Sequence, residues 1–340
     1  MTSSFPLIFL GGIGALVGAV LGLASKKFQV LIDTKIEKIR QVLPSINCGA
    51  CGYATCEQFA RAVAEGKSDP TGCVPGNPKA AHAIGDILGI SVTTVDAGMA
   101  VVHCKGGKAQ ALERCIYDGI HDCHAAIVAG YGSKVCVDGC LGLGSCVTAC
   151  PFDALSVNDN NVAVVDADKC VGCGMCVAAC PRGIIGLIPR VHKIFLACSN
   201  HDQGSAVTGY CSVGCTACQT CVEATKSGAI TMHDDLPDLD YSREENFIVA
   251  AHMCPARCFV DLIKTRPKVN IDVKCDGCGV CVMHCPVGAI RGERGMRYVI
   301  DKEKCIGCGQ CLDKCHVHAI ALWGGLAYSQ SGNRGMRFRP

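Results

Sequence analysis

Aromatic side chains are scarce in this 340-residue chain, 5% in all with a single tryptophan. A chain of this length with so few large side chains is not held together by packing alone, so disulfides or metal centres must contribute. An excess of one charge is missing too. The formal net charge is only +2, which argues against a nucleic-acid binder. No GxGxxG follows a strand-like run, and there is no Walker A loop and no HExxH helix. The glycine-rich CLGLGSC at 140–146 lies inside a run of cysteines and serves tight turns instead. The chain is therefore expected to bind neither flavin nor NAD and to carry no catalytic residue of its own. What abounds is cysteine, 30 residues, beside 40 glycines. Most of the thiols stand two or three residues apart, which suits convergence on metal centres better than bridging distant strands.

One long uncharged run is present. Phe5 to Ala24 reads FPLIFLGGIGALVGAVLGLA, and Lys26 and Lys27 follow at once. Twenty such residues match one helix through bilayer hydrocarbon. A cleaved signal peptide is the competing reading, but the preceding MTSS carries no Lys or Arg. Small residues would let the helix pack against another in the membrane. Lys35, Lys38 and Arg40 extend the positive flank. That bias predicts a single-pass protein of an inner or plasma membrane with its bulk on the cytoplasmic side, where disulfides are rare.

The expected class is α+β: an N-terminal transmembrane helix, a small four-cysteine iron–sulfur domain, then tandem two-cluster ferredoxin-like units. The boundaries read from the sequence are an anchor at 1–27, a single-cluster domain at 28–95 and a linking domain at 96–135. A two-cluster unit at 136–190, a degenerate one-cluster unit at 191–262 and a second two-cluster unit at 263–323 follow. The last segment, 324–340, is Gly/Ser-rich and basic, as a flexible tail would be. An internal repeat supports the division. Cys150 and Cys180, each before proline, are 30 residues apart, as are Cys285 and Cys315, while Thr225 and Cys254 are 29 apart.

The last unit is the most regular. Cys275, Cys278 and Cys281 with Cys285, then Cys305, Cys308 and Cys311 with Cys315, repeat the C-x2-C-x2-C-x3-C run of two-cluster ferredoxins, whose fourth cysteine ligates the other cluster. One set is then Cys275, Cys278, Cys281 and Cys315, and the other Cys305, Cys308, Cys311 and Cys285. In the first unit Leu143 occupies the expected middle position, and Cys136 is the substitute. Its sets read Cys136, Cys140, Cys146 and Cys180, and Cys170, Cys173, Cys176 and Cys150. In the middle unit Thr225, Glu244, Phe247 and Ala250 stand where ligands belong. The survivors Cys215, Cys218, Cys221 and Cys254 make one whole set, and the four losses make up the other. Cys48, Cys51, Cys56 and Cys73 form a separate site, for which zinc is a rival on spacing alone. The expected total is six 4Fe-4S clusters. Cys104, Cys115, Cys123, Cys198, Cys211 and Cys258 remain unassigned, either buried small hydrophobes or, for Cys104 and Cys123 near His103, His121 and His124, ligands of an additional cluster.

Three strings carry a more specific likeness: YDGIHDCHAA, CLGLGSCVTACPFDAL and DKCVGCGMCVAACPRGII, preceded by CGACG and followed by ACSNHDQG. Together with the N-terminal helix they resemble the B subunits of Rnf complexes, membrane ferredoxin:NAD oxidoreductases that translocate sodium ions or protons. The resemblance covers nearly the whole chain. It implies an electron-transfer subunit of a translocase, taking electrons from soluble ferredoxin and relaying them toward a flavin/NAD subunit and membrane subunits. An iron–sulfur subunit of another, quinone-linked membrane oxidoreductase, or a zinc-stabilised interaction protein, is the alternative. From residue 286 onward nine Lys/Arg face four acids, a surface suited to an acidic carrier.

Overall fold

The computed structural model describes residues 5–27, 34–93, 98–225, 227–243, 247–263 and 265–323. The expected tail, 324–340, and Glu244 lie outside them. The chain divides into two compact units, Met1–Val95 and Asp96–Pro340.

The first unit opens with α1 (Phe5–Lys27), a 23-residue helix whose last turn carries Lys26 and Lys27. Its side chains are described over 10–24 and at the two lysines, and among the described residues no helix is long and apolar enough to cross a membrane. Three shorter helices follow: α2 (Thr34–Val42), α3 (Cys56–Ala64) and α4 (Asn77–Leu88). Thr55 caps α3 by accepting the Gln58 N–H at 3.2 Å, and Gly89 ends α4 in a left-handed conformation with φ 73°. Ile39, Leu43, Phe59, Ala60, Val63 and Ile84 bury their side chains between these helices. This small core holds the loop between α2 and α3, which leads into the first three of the four cysteines.

The second unit repeats one plan three times. In the first repeat the chain runs β1 (Gly98–Val102), α5 (Cys123–Val128), α6 (Ser145–Thr148), β2 (Leu155–Val157), β3 (Ala163–Val165), α7 (Met175–Ala178) and β4 (Ile185–Pro189). The second has β5 (Ile194–Leu196), α8 (Gly204–Thr208), α9 (Thr220–Glu223), β6 (Ile230–His233), β7 (Leu236–Leu239), α10 (Ile248–Met253) and β8 (Phe259–Asp261). The third has β9 (Lys268–Ile271), α11 (Val280–Met283), β10 (Ile290–Arg291), β11 (Val299–Ile300) and β12 (Ile320–Trp323). An outer antiparallel pair closes each repeat: β1 with β4, β5 with β8, β9 with β12. An inner hairpin sits between: β2 with β3, β6 with β7, β10 with β11.

The outer pair changes how 96–135 is understood. Its β1 pairs with β4 from Gly98↔Pro189 to Val102↔Ile185, so that strand is part of the first repeat. Residues 103–135 are an excursion between that strand and the first ligand loop.

The middle repeat shows what fills the place of a lost ligand set. Phe247 is 1% exposed, with its ring 5.5 Å from Tyr241 and 6.3 Å from His192. Ala250 is 1% exposed on α10. The Thr225 hydroxyl donates to the Cys221 carbonyl at 2.8 Å. Aromatic packing therefore occupies the place of the missing ligand set.

Candidate metal centres

Four ligand loops of the second unit are built in the same way. The chain turns through a left-handed residue, Gly144, Gly174, Gln219 or Gly279, straight into a one-turn helix. That turn buries the third cysteine of the loop: Cys146, Cys176, Cys221 or Cys281. Beyond three of the closing cysteines the backbone doubles back, and an N–H four residues on donates to the sulfur. Ala154 donates to Cys150 at 3.4 Å, Ala289 to Cys285 at 3.2 Å and Ala319 to Cys315 at 3.2 Å. Ala100 of β1 donates to Cys170 at 3.4 Å, and Ala163 of β3 to Cys140 at 3.5 Å. Such bonds stabilise thiolate rather than thiol.

Burial works in the opposite direction. It pushes the Cys73 and Cys221 thiols up to about 11, and Cys146 and Cys311 to about 12, with neighbouring thiols adding to the effect. Buried, crowded thiols do not ionise together unless a cation joins them, which is the electrostatic signature of a metal site. Spacing favours a cluster over a single ion. Tetrahedral zinc with Zn–S of about 2.3 Å brings its sulfurs to within about 4 Å of one another. Among the described residues, no three cysteine sulfurs lie within 4.8 Å of each other. The residues fit 4Fe-4S clusters.

The neighbours of each thiol show which cysteines come together. Cys73 faces Cys56, Cys51 and Cys48, and the four line one void with Leu43, Tyr53 and Phe59. Cys176 has Cys170, Cys173 and Cys150 around it. Cys281 has Cys275, Cys278 and Cys315, and Cys311 has Cys308, Cys305 and Cys285. Cys221 has Cys215, Cys254 and Cys218. In all five groups the structure gathers the cysteines that the spacing joined.

The sixth expected set is different. Cys146 has Cys140, Cys123 and Cys180 as neighbours, with Cys176 of the adjoining set. Cys136 stands elsewhere, its neighbouring thiols being Cys104 and Cys198. The reason lies in the 103–135 excursion. Asp122 caps α5 by accepting the Ala125 N–H at 2.9 Å, Ser145 donates to Asp122 at 2.8 Å, and the Cys123 N–H donates to Ser145 at 2.7 Å. This chain of bonds pins Cys123 against the loop in which Leu143 has replaced a thiol. The histidines serve other ends. His103 Nδ1 lies 2.6 Å from the Leu196 carbonyl and His124 Nε2 3.3 Å from that of Ala179. Burial lowers the His103 pKa.

Two features stand outside the ligand spacing. Cys258 stands four residues after Cys254, at the place alanine takes after Cys150, Cys285 and Cys315. Its sulfur lies 3.3 Å from that of Cys254. Hydrogen bonding from Cys258 brings the Cys254 thiol down to about 6 and Cys215 to about 7. In the third repeat His316 takes the proline position and pairs with Asp276 at 3.0 Å, beside Cys278.

Three segments match known families: "Putative Fe-S cluster" at 43–75, and "4Fe-4S dicluster domain" at 133–187 and at 274–320. Over 83% of its length the chain is 34% identical to the B subunit of the ion-translocating oxidoreductase complex of Methanosarcina acetivorans, covering 95% of that protein. The chain belongs to this family of B subunits. It is also 36% identical to the B subunit of the proton-translocating ferredoxin:NAD(+) oxidoreductase complex of Clostridium ljungdahlii, over 76% of this chain and 90% of that one. The corresponding Na(+)-translocating complex of Acetobacterium woodii has a B subunit 36% identical over 74% of this chain and 76% of its own. Within the present B subunit the middle repeat, with its single surviving thiol set, lies between the two matched dicluster segments.

Proposed function

We propose that this B subunit relays electrons from reduced ferredoxin toward NAD-reducing and membrane subunits of an ion-translocating complex. The observation that carries the reading is the series of four-thiol groups, too widely spaced for single ions and supplied with N–H donors. Six clusters are held by Cys48, Cys51, Cys56 and Cys73; by Cys123, Cys140, Cys146 and Cys180; by Cys150, Cys170, Cys173 and Cys176; by Cys215, Cys218, Cys221 and Cys254; by Cys275, Cys278, Cys281 and Cys315; and by Cys285, Cys305, Cys308 and Cys311. When bound, 4Fe-4S clusters supply one-electron chemistry. The protein's part is to hold the thiolates, direct N–H groups at them and exclude water. Ile306 and Cys308 of the third repeat pack against the core of the second, which supports a continuous series from repeat to repeat.

Helix α1 is the membrane anchor in this reading. Its 23 residues reach about 34 Å, enough for a hydrocarbon core of roughly 30 Å, and Lys26 and Lys27 keep the iron–sulfur units cytoplasmic. Bound flavin and NAD belong to a partner subunit.

The test is reduction by ferredoxin of protein purified without oxygen. Bleaching of its visible absorption by catalytic amounts of ferredoxin, kept reduced by an excess of a reductant that does not itself bleach the subunit, supports the relay. Colourless protein containing stoichiometric zinc would overturn it in favour of a structural scaffold.

A further inference from the structure

Four of the cysteines left without a place by sequence spacing, or displaced from their expected one, meet in the structure. Cys104 follows β1, Cys136 precedes the first ligand loop, Cys198 follows β5, and Cys211 follows α8. All four line one pocket, walled also by Lys134, Asn200 and Tyr210. Similar pockets lie at two of the proposed cluster sites, one lined by Cys48, Cys51, Cys56 and Cys73 and one by Cys215, Cys218, Cys221 and Cys254.

Two details of the wall point to an anionic occupant. Lys134 is 1% exposed, and its Nζ donates to the Gly106 carbonyl at 2.6 Å. A buried ammonium calls for compensating negative charge, and thiolates are the anionic groups this void offers it besides Asp138 at the wall. Asn200 is 4% exposed. The Tyr210 hydroxyl donates to its Oδ1 at 2.9 Å, while its Nδ2 has no partner. A buried amide with nothing to bond is costly unless a ligand supplies the acceptor. The approach of Gly106 to Cys211 is also close: a Cβ there would lie 3.0 Å from the sulfur.

We infer that Cys104, Cys136, Cys198 and Cys211 hold a seventh 4Fe-4S cluster, with Lys134 and Asn200 facing it as cation and donor. Zinc does not suit the site, because among the described residues no three cysteine sulfurs lie within 4.8 Å and a void remains between them. The position joins two repeats. The Cys140 N–H, from a ligand of the first repeat, donates to Cys104 Sγ at 3.2 Å. The Cys215 N–H, from a ligand of the second, donates to Cys198 Sγ at 3.3 Å. The site is thus hydrogen-bonded to a proposed cluster ligand on either side. With it, only Cys115 and Cys258 of the thirty cysteines stand outside a ligand set.

The inference rests on the six-cluster reading above, and the experiment separates the two. Iron, acid-labile sulfide and zinc are counted on the full chain purified without oxygen, as wild type, Cys211→Ser, Cys104→Ser and Cys123→Ala. Seven sites give about 28 irons in the wild type and about 24 in each single variant, at four irons per cluster. Electron paramagnetic resonance of the reduced protein should show one spin fewer in each. The Cys123→Ala/Cys211→Ser pair should lose about eight irons, because the two cysteines serve different clusters. A wild type at about 24 irons, unchanged by Cys211→Ser and Cys104→Ser, overturns the seventh site and leaves the six standing. About 24 irons with one zinc that those two variants remove also overturns it, replacing the cluster by an ion. Little iron in the wild type overturns both readings. The wild-type count decides even where a variant fails to fold.

Discussion

Gly172 and Gly174 sit two residues apart in the Cys170 loop with nearly equal backbone angles, φ 73° and 79°, yet alanine should affect them very differently. Both substitutions force an L side chain into the left-handed region, at about 1 kcal/mol. Around Gly174 nothing lies within 4 Å of a new Cβ, so the cost ends there. At Gly172 the Cβ would lie 2.8 Å from the Gly98 carbonyl carbon and closer still to its oxygen. Those are backbone atoms of β1, and they cannot rotate away. Relieving the overlap means shifting β1 against β4, which adds roughly 2–3 kcal/mol. The same shift draws the Ala100 N–H away from Cys170, a bond of 3.4 Å. Gly172→Ala should therefore stand at about 3–4 kcal/mol and Gly174→Ala at about 1 kcal/mol. Iron–sulfur proteins unfold irreversibly, so the assay is a rate: the half-life of visible absorption in guanidinium without oxygen. A gap of about 2 kcal/mol corresponds to roughly thirtyfold faster bleaching for Gly172→Ala. Equal half-lives would refute the claim that this loop is fixed by backbone contact with β1.

Three further outcomes are expected. Cys258→Ala should leave iron content unchanged but remove sulfur hydrogen bonds to Cys254 and Cys215. Losing about 1 kcal/mol of stabilisation of the reduced state lowers that cluster's potential by roughly 40 mV, and loss of four irons would instead make Cys258 a ligand. Lys134→Met should lower the potential of the site beside Cys104 and Cys211. A unit charge on the order of 6 Å away at an effective dielectric near 20 contributes about 3 kcal/mol, roughly 120 mV for one electron, and an unchanged redox titration would show that the ammonium does not face it. Arg291→Gln with Arg294→Gln should slow reduction by an acidic ferredoxin about threefold to tenfold at low salt and have no effect at high salt. Arg297 is excluded from that pair because it donates to the Ile271 carbonyl at 2.6 Å and braces β9. A rate that ignores salt would count against docking on this face.

Much of this architecture is legible in the chain because ligand loops are local. Three thiols within seven residues must share a turn, whatever surrounds them, and the swapped fourth ligand is what the likeness to two-cluster ferredoxins implies. The loss of one ligand set from the middle repeat is legible for the same reason, since Thr225, Phe247 and Ala250 fall at fixed offsets. What replaced that set is not. That Phe247 packs on Tyr241 and His192 depends on long-range contacts that carry no spacing signature. Cys258 leaves a faint trace, as the one cysteine four residues past a closing position. The largest departure is Cys136. It lies four residues before Cys140 and so reads as the missing member of that loop, yet proximity in sequence does not decide its place.

The 103–135 excursion explains both irregularities of the first repeat. Its Asp122–Ser145 bond carries Cys123 to the place Leu143 leaves empty, so that ligand loop is completed from outside itself. That frees Cys136. With Cys104 at one end of the excursion and Cys136 just past the other, the insertion supplies two thiols to the wall that the second repeat completes with Cys198 and Cys211. A cluster in that wall stands where the hydrogen bonds from Cys140 and Cys215 meet it from either side. The middle repeat gave up one ligand set to aromatic packing, but it shares in another built jointly with its neighbour. In that arrangement the excursion extends the cluster series across the junction between two ferredoxin-like repeats.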